Sequence, residues 1–172
     1  MSTKDLDFWQ FSLQFYSRAE IPSVCITLQD DYGIDINLLF FILFLAKNQR
    51  LLTTEDIRRI DSSICSWRQK VVQPLRAIRR ELKSGVTPVD KESAEVLRSA
   101  IKRDELQAER LQQEALERGF PLENTGSAAE PLTAAKANID AYASILGTSL
   151  PQNAVNSLLN ALAAEFPNIQ KA

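Results

Sequence analysis

Glycine is scarce in this chain, and its placement constrains the fold more than any other feature. Of five glycines in 172 residues, Gly33, Gly85, Gly119 and Gly147 stand where a stretch of 3.6-residue apolar periodicity ends. A helix stop favours a residue that tolerates left-handed backbone there. Start signals complement the stops. Thr53 with Asp56 has the spacing of a capping pair, Asp90 can cap the stretch that follows it, and Ser149 with Gln152 spells a capping box. Pro22, Pro131 and Pro151 each fall in a first helical turn, where the missing N–H costs nothing.

Between these marks the pattern predicts helices over residues 4–18, 22–32, 35–48, 54–66, 67–84, 90–118, 131–146 and 150–166. Alternation with period two is almost absent, so no sheet is predicted. The expected fold class is all-α, a single helical bundle of about seven or eight helices with a C-terminal helical hairpin. Residues 1–118 are expected to form a core domain that includes a long charged helix. Residues 119–130, GFPLENTGSAAE, read as a flexible loop, and residues 131–172 as the hairpin. In that hairpin Leu132, Ile139, Tyr142 and Leu146 are expected opposite Val155, Leu158, Leu162 and Phe166.

Aromatic mass sits early, in Phe8, Trp9, Phe11, Phe15 and Tyr16, then Phe40, Phe41 and Phe44, which places the expected core in the first half of the chain. The longest apolar run, Leu38 to Ala46, is nine residues. As a helix it spans roughly 14 Å, about half of a hydrocarbon core, so a buried core helix is the better reading. The first ten residues are mixed and acidic, unlike a signal peptide. Cys25 and Cys65 form no CxxC pair. A cytoplasmic protein with reduced thiols is expected.

The absence of histidine removes the commonest general base and metal ligand. Ser-His and Cys-His activation is impossible within the chain, and no glycine-rich loop resembles a phosphate cradle. No catalytic residue, metal or cofactor is expected, and the chain is read as a non-enzyme. The stretch LQDDYGIDIN, residues 28–37, superficially suggests calcium, but its spacing puts Leu28 and Tyr32 where oxygen ligands are needed. Gly33 ending one helix and Asp35 capping the next explains it better.

The net charge of −2 hides an uneven distribution. Residues 47–83 carry ten basic against four acidic side chains, whereas residues 1–46 carry two against six. Within WRQKVVQPLRAIRRELK, residues 67–83, helical spacing gathers Arg68, Arg76, Arg79, Arg80 and Lys83 into an arc of about 120°. Trp67, Val71, Leu75, Ile78 and Leu82 fill the adjoining arc. Such a stripe is the candidate binding face, for a protein partner first and for nucleic acid as the alternative. The same face has a structural use, pairing with Asp30, Asp31 or Asp35 inside the molecule. Pro74 interrupts it and predicts a kink or a restart. A carboxylate-dependent enzyme, using Asp30 and Asp35 with Arg76 as an anion clamp, is the third reading. The helix from Asp90 to Arg118 carries a short stripe of Leu97, Ile101, Ala108, Leu111 and Ala115, interrupted by Asp104. It suits packing on its own domain, or a coiled-coil contact with a partner.

Three strings, DFWQFSLQFYS, VCITLQDDYGIDINLLFF and WRQKVVQPLRAIRRELK, resemble the proteobacterial family known as domain of unknown function 2390. ELQAERLQQ and ANIDAYASIL are similar to its later helices. Phe44 and Ala46 depart from a pattern that tends to tryptophan and glycine there. The resemblance implies a bacterial cytoplasmic protein with no assigned activity, and it supplies no site residues.

Overall fold

The structure is a computed structural model that describes residues 6–166. Residues 1–5 and 167–172, which the expected first domain and hairpin include, lie outside the described residues. The chain runs through α1 (Phe8–Tyr16), α2 (Ile21–Tyr32), α3 (Ile36–Lys47), β1 (Arg50–Leu51) and α4 (Thr54–Trp67). A π-helical turn, Arg68–Val72, joins α4 to α5 (Gln73–Ser84) without a break. Then follow α6 (Lys91–Gly119), a 3₁₀ turn at Leu122–Asn124, β2 (Ser127–Ala128), α7 (Pro131–Ile145) and α8 (Gln152–Ala163). The protein is an all-α bundle, as its periodicity predicts.

Local chemistry sets most of the boundaries. Asp35 accepts the Leu38 N–H at the start of α3, and Thr53 and Asp56 form a reciprocal capping box on α4. Asp90 accepts the Ser93 N–H at the start of α6, and Gly33 closes α2 in the left-handed region at φ 68°. Asp7 with Gln10 on α1, and Glu130 on α7, cap in the same way. Ser149 and Gln152 make no capping box. Pro151 occupies the N-cap of α8, and the Gln152 amide donates to Asn156 instead.

Helix α3 is the axis of the bundle. All its residues from Asn37 to Ala46 are buried, as expected of a helix apolar on every side. Phe8 and Phe11 of α1 pack on Phe41 and Phe44 with ring centroids 5.0 and 5.6 Å apart, and Phe15 meets Phe40 edge-on at 5.2 Å. Each such burial contributes about 1.5–3 kcal/mol.

The core does not stop at the first half of the chain. Ala134, Ala135, Ile139 and Tyr142 of α7, with Val155, Leu158 and Leu162 of α8, belong to the same buried cluster. α7 lies mainly along α3, and α8 packs on both α7 and α2. The two helices expected to form a hairpin of their own complete the main core, and Leu146 remains exposed.

Residues 119–130 are tied down where a flexible loop was expected. β2 pairs antiparallel with β1, Arg50 opposite Ala128 and Leu51 opposite Ser127, a short pairing that the lack of alternation hides. Gly126, the glycine that marks no helix stop, has φ 70°, and a Cβ there would sit 2.6 Å from the Leu51 carbonyl oxygen. Asn138 of α7 locks this corner. Its Oδ1 accepts the Leu52 N–H at 2.8 Å, and its amide donates to the carbonyls of Ile42 and Arg50.

The helices α5 and α6 form the other distinctive unit. They pack chiefly on each other, and α5 buries no residue. Ala94 is the buried position in α6 before Glu105.

Candidate functional site

Pro74 shapes the site. Proline has no N–H to offer the carbonyl four residues back and clashes with it. The chain answers this by widening the preceding turn, where the Gln73 N–H reaches the Arg68 carbonyl, and Pro74 sits in the first turn of α5. A π-turn of this kind carries the helix through, and such turns recur at functional sites. This one sets Arg68, Gln69, Val72 and Gln73 along a single cleft.

The cationic stripe is largely occupied from within. Arg68 Nη1 donates to Asp35 at 3.1 Å and to Asp61 at 2.6 Å. Arg76 donates from Nε to Glu105 at 3.0 Å and from Nη2 to Glu109 at 2.6 Å. Arg79 also pairs with Glu105. Arg80 meets Asp30 at 2.8 Å near solvent, and Lys83 has no ion pair among the described residues. Internal pairing therefore engages four of the five stripe cations. The partners differ in part from those expected. Asp30 and Asp35 take part, but Arg76 turns to α6. The signal for this was the 105/109 carboxylate pair, one helical turn apart and thus facing Arg76 and Arg79 across a hairpin.

Burial and pairing compete at each group. Burial works against the charge of Arg68, but hydrogen bonds and the charges of Asp61 and Asp35 prevail and raise its pKa. Burial likewise opposes ionisation of Glu105, and hydrogen bonds from Arg79 and Arg76 outweigh it, so its carboxyl titrates below the usual range. At Glu109 burial wins over Arg76, with the Glu105 charge adding to it, and the pKa rises. Two carboxylates on one face of α6 thus carry opposite shifts. Burial alone pushes the Cys25 thiol up to about 12, which leaves it unreactive.

The cleft holds about 270 Å³ between the end of α2, the start of α3, α4, the π-turn, α5 and α7. Asp35, Asp61, Arg68, Arg76 and Tyr142 line it. The Tyr142 hydroxyl accepts the Asp35 N–H at 3.0 Å, and the Gln112 amide approaches Asp35 at 3.4 Å. Burial, then the Asp35 charge, raises the Tyr142 pKa. Asp35 and Arg76 both reach this cleft, but Asp30 pairs elsewhere, so the catalytic trio Asp30, Asp35 and Arg76 is not assembled. Among the described residues no three Cys, Asp or Glu are grouped to hold a metal ion. No helix among them is long and apolar enough to cross a membrane.

Fold and site together define an all-helical domain built around a polar cleft and an ion-paired helical hairpin. The chain belongs to the family described as protein of unknown function DUF2390, whose match runs over residues 7–116. That span covers α1 to the last turns of α6, so the similar string ANIDAYASIL lies beyond it. No curated protein and no solved structure matches the chain.

Proposed function

We propose that this chain works by binding rather than catalysis, and that a protein partner docks on the outer turns of the α5–α6 hairpin. One observation carries the reading. The hairpin holds Ile78, Val86, Val89, Val96 and Leu97 in solvent, with Val96 74% exposed, while its Arg76 and Arg79 are spent on Glu105. Large apolar side chains left in solvent along an internally braced element are the usual mark of a contact surface. The lack of histidine supports a non-catalytic role.

The docking surface is thus the hairpin's exposed apolar side chains, with the exposed Lys83 and Arg80 of the same element, in place of the arginine stripe. Nucleic-acid binding loses ground for the same reason, because guanidinium groups already bonded to carboxylates release few counterions from DNA. The test is affinity capture from native extract with wild type, Val96→Asp/Leu97→Asp, and Arg80→Glu/Lys83→Glu. Proteins retained by wild type should be lost from the apolar double variant and reduced with the charge-reversed one. Equal retention by all three baits would overturn the reading.

A further inference from the structure

The stripe's arginines are bonded but not saturated. Arg68 uses only Nη1 on Asp35 and Asp61. Its Nε and Nη2 have no acceptor among the described residues, yet the side chain lines the cleft. A guanidinium fixed at one nitrogen offers its remaining donors to a carboxylate, with little rotamer freedom left to lose. Arg76, also in the lining, keeps Nη1 free beyond its bonds to Glu105 and Glu109. On the acidic side, Asp61 gives Oδ1 to Arg68 and keeps Oδ2 without a donor among the described residues. The buried Tyr142 hydroxyl accepts from the Asp35 N–H, and its own proton has no acceptor among them.

The balance of charge selects the ligand. Two carboxylates, Asp35 and Asp61, and two guanidinium groups, Arg68 and Arg76, line the cleft, so the lining is neutral but strongly divided. A bare anion would face Asp35 and Asp61, and a bare cation would face both arginines. A molecule that carries both signs a few bonds apart satisfies each. At about 270 Å³ the cleft lies at the small end of ligand pockets, and Ile34, Val72 and Leu146 add an apolar wall.

We infer that this cleft binds a small zwitterion, a free α-amino acid, with its carboxylate on the unbonded Arg68 Nη2 and Arg76 Nη1 donors and its ammonium on Asp61. The site is independent of the hairpin's outer surface and does not rest on that reading.

The test is an NMR titration of the full chain with the twenty free L-amino acids, one at a time, following the Arg68 side-chain N–H and the backbone around Asp61 and Tyr142. For the tightest binder, the amide (no carboxylate) and the N-acetyl derivative (no ammonium) are titrated as well. At least one amino acid should shift these signals saturably, and each blocked form should bind roughly tenfold weaker or worse, the loss expected of a charge-assisted bond. Arg68→Lys, which keeps the charge but not the Nη2 donor, should weaken binding by a similar factor. Asp61→Asn provides the same comparison should Arg68→Lys fail to fold. Silence from all twenty amino acids, or equal binding of the blocked forms, would overturn the inference.

Discussion

In the body of the bundle, ten of the twelve residues of α3 are buried, and its neighbours meet it through phenylalanine, leucine and isoleucine. In the α5–α6 hairpin, α5 buries none of its residues; Arg76 and Arg79 meet Glu105 of α6 on a face that also holds half-buried Leu75 and Leu82. One region is held by apolar area removed from water, the other by a thinner apolar seam reinforced with directed charge pairs. The two forces scale differently. Apolar burial contributes a few kcal/mol per side chain, whereas partly exposed ion pairs contribute about 1 kcal/mol or less. The hairpin is therefore held more weakly than the body, by contacts that leave its apolar side chains facing outward.

That contrast can be broken most severely from the body side. Phe41→Ala, which empties a site fully buried against Phe8 and Phe44, should cost about 3–5 kcal/mol in urea denaturation. Asn138→Ala should cost about 2–4 kcal/mol, because it strands the Leu52 N–H inside the core and removes the bonds to the Ile42 and Arg50 carbonyls. In the hairpin, Glu105→Gln should cost only about 1–2 kcal/mol at neutral pH, since both arginines are partly solvated.

The pH dependence follows from the direction of each shift. Glu105 is depressed in the fold, so its contribution is present above the ordinary carboxylate range and fades as pH falls through its lowered value. The gap between wild type and Glu105→Gln should close on acidification. Glu109 is raised, so its contribution is present in acid and lost as pH rises through its elevated value. Glu109→Gln should therefore cost less than Glu105→Gln at pH 7 in parallel denaturation series. The smallest effect belongs to Val96→Asp/Leu97→Asp. Its stability should stay within about 0.5 kcal/mol of wild type, because both side chains are largely exposed.

Local signals in the sequence were legible and long-range ones were not. Gly33, Asp35, Thr53 and Asp90 act within five residues of themselves, so their spacing alone foretells the helix ends they form. Asn138 and Gly126 act on residues far from them in the chain. Nothing in their neighbourhoods shows that one bonds to residues 42–52 or that the other lies against Leu51. Amphipathic period shows that a helix has a buried face but not which neighbour covers it. This is why α7 was matched to α8 alone, although α3 is its main partner. The site was half legible on the same grounds. Helical spacing gathered Arg68, Arg76, Arg79 and Arg80, but Glu105 and Glu109, the partners of Arg76 and Arg79, belong to another helix, and the cleft exists only where six elements meet.

A double-mutant cycle on Arg79 and Glu105 tests most directly whether the stripe is a brace. The structure gives Arg79 no ion-pair partner other than Glu105 among the described residues, so the cycle isolates one pair. With Arg79→Met, Glu105→Gln and the double variant unfolded in urea, the coupling energy should be about 1 kcal/mol, the two losses being far from additive. Additive losses, with a coupling below about 0.3 kcal/mol, would contradict the account and return the arginine stripe to the surface as a free cationic face.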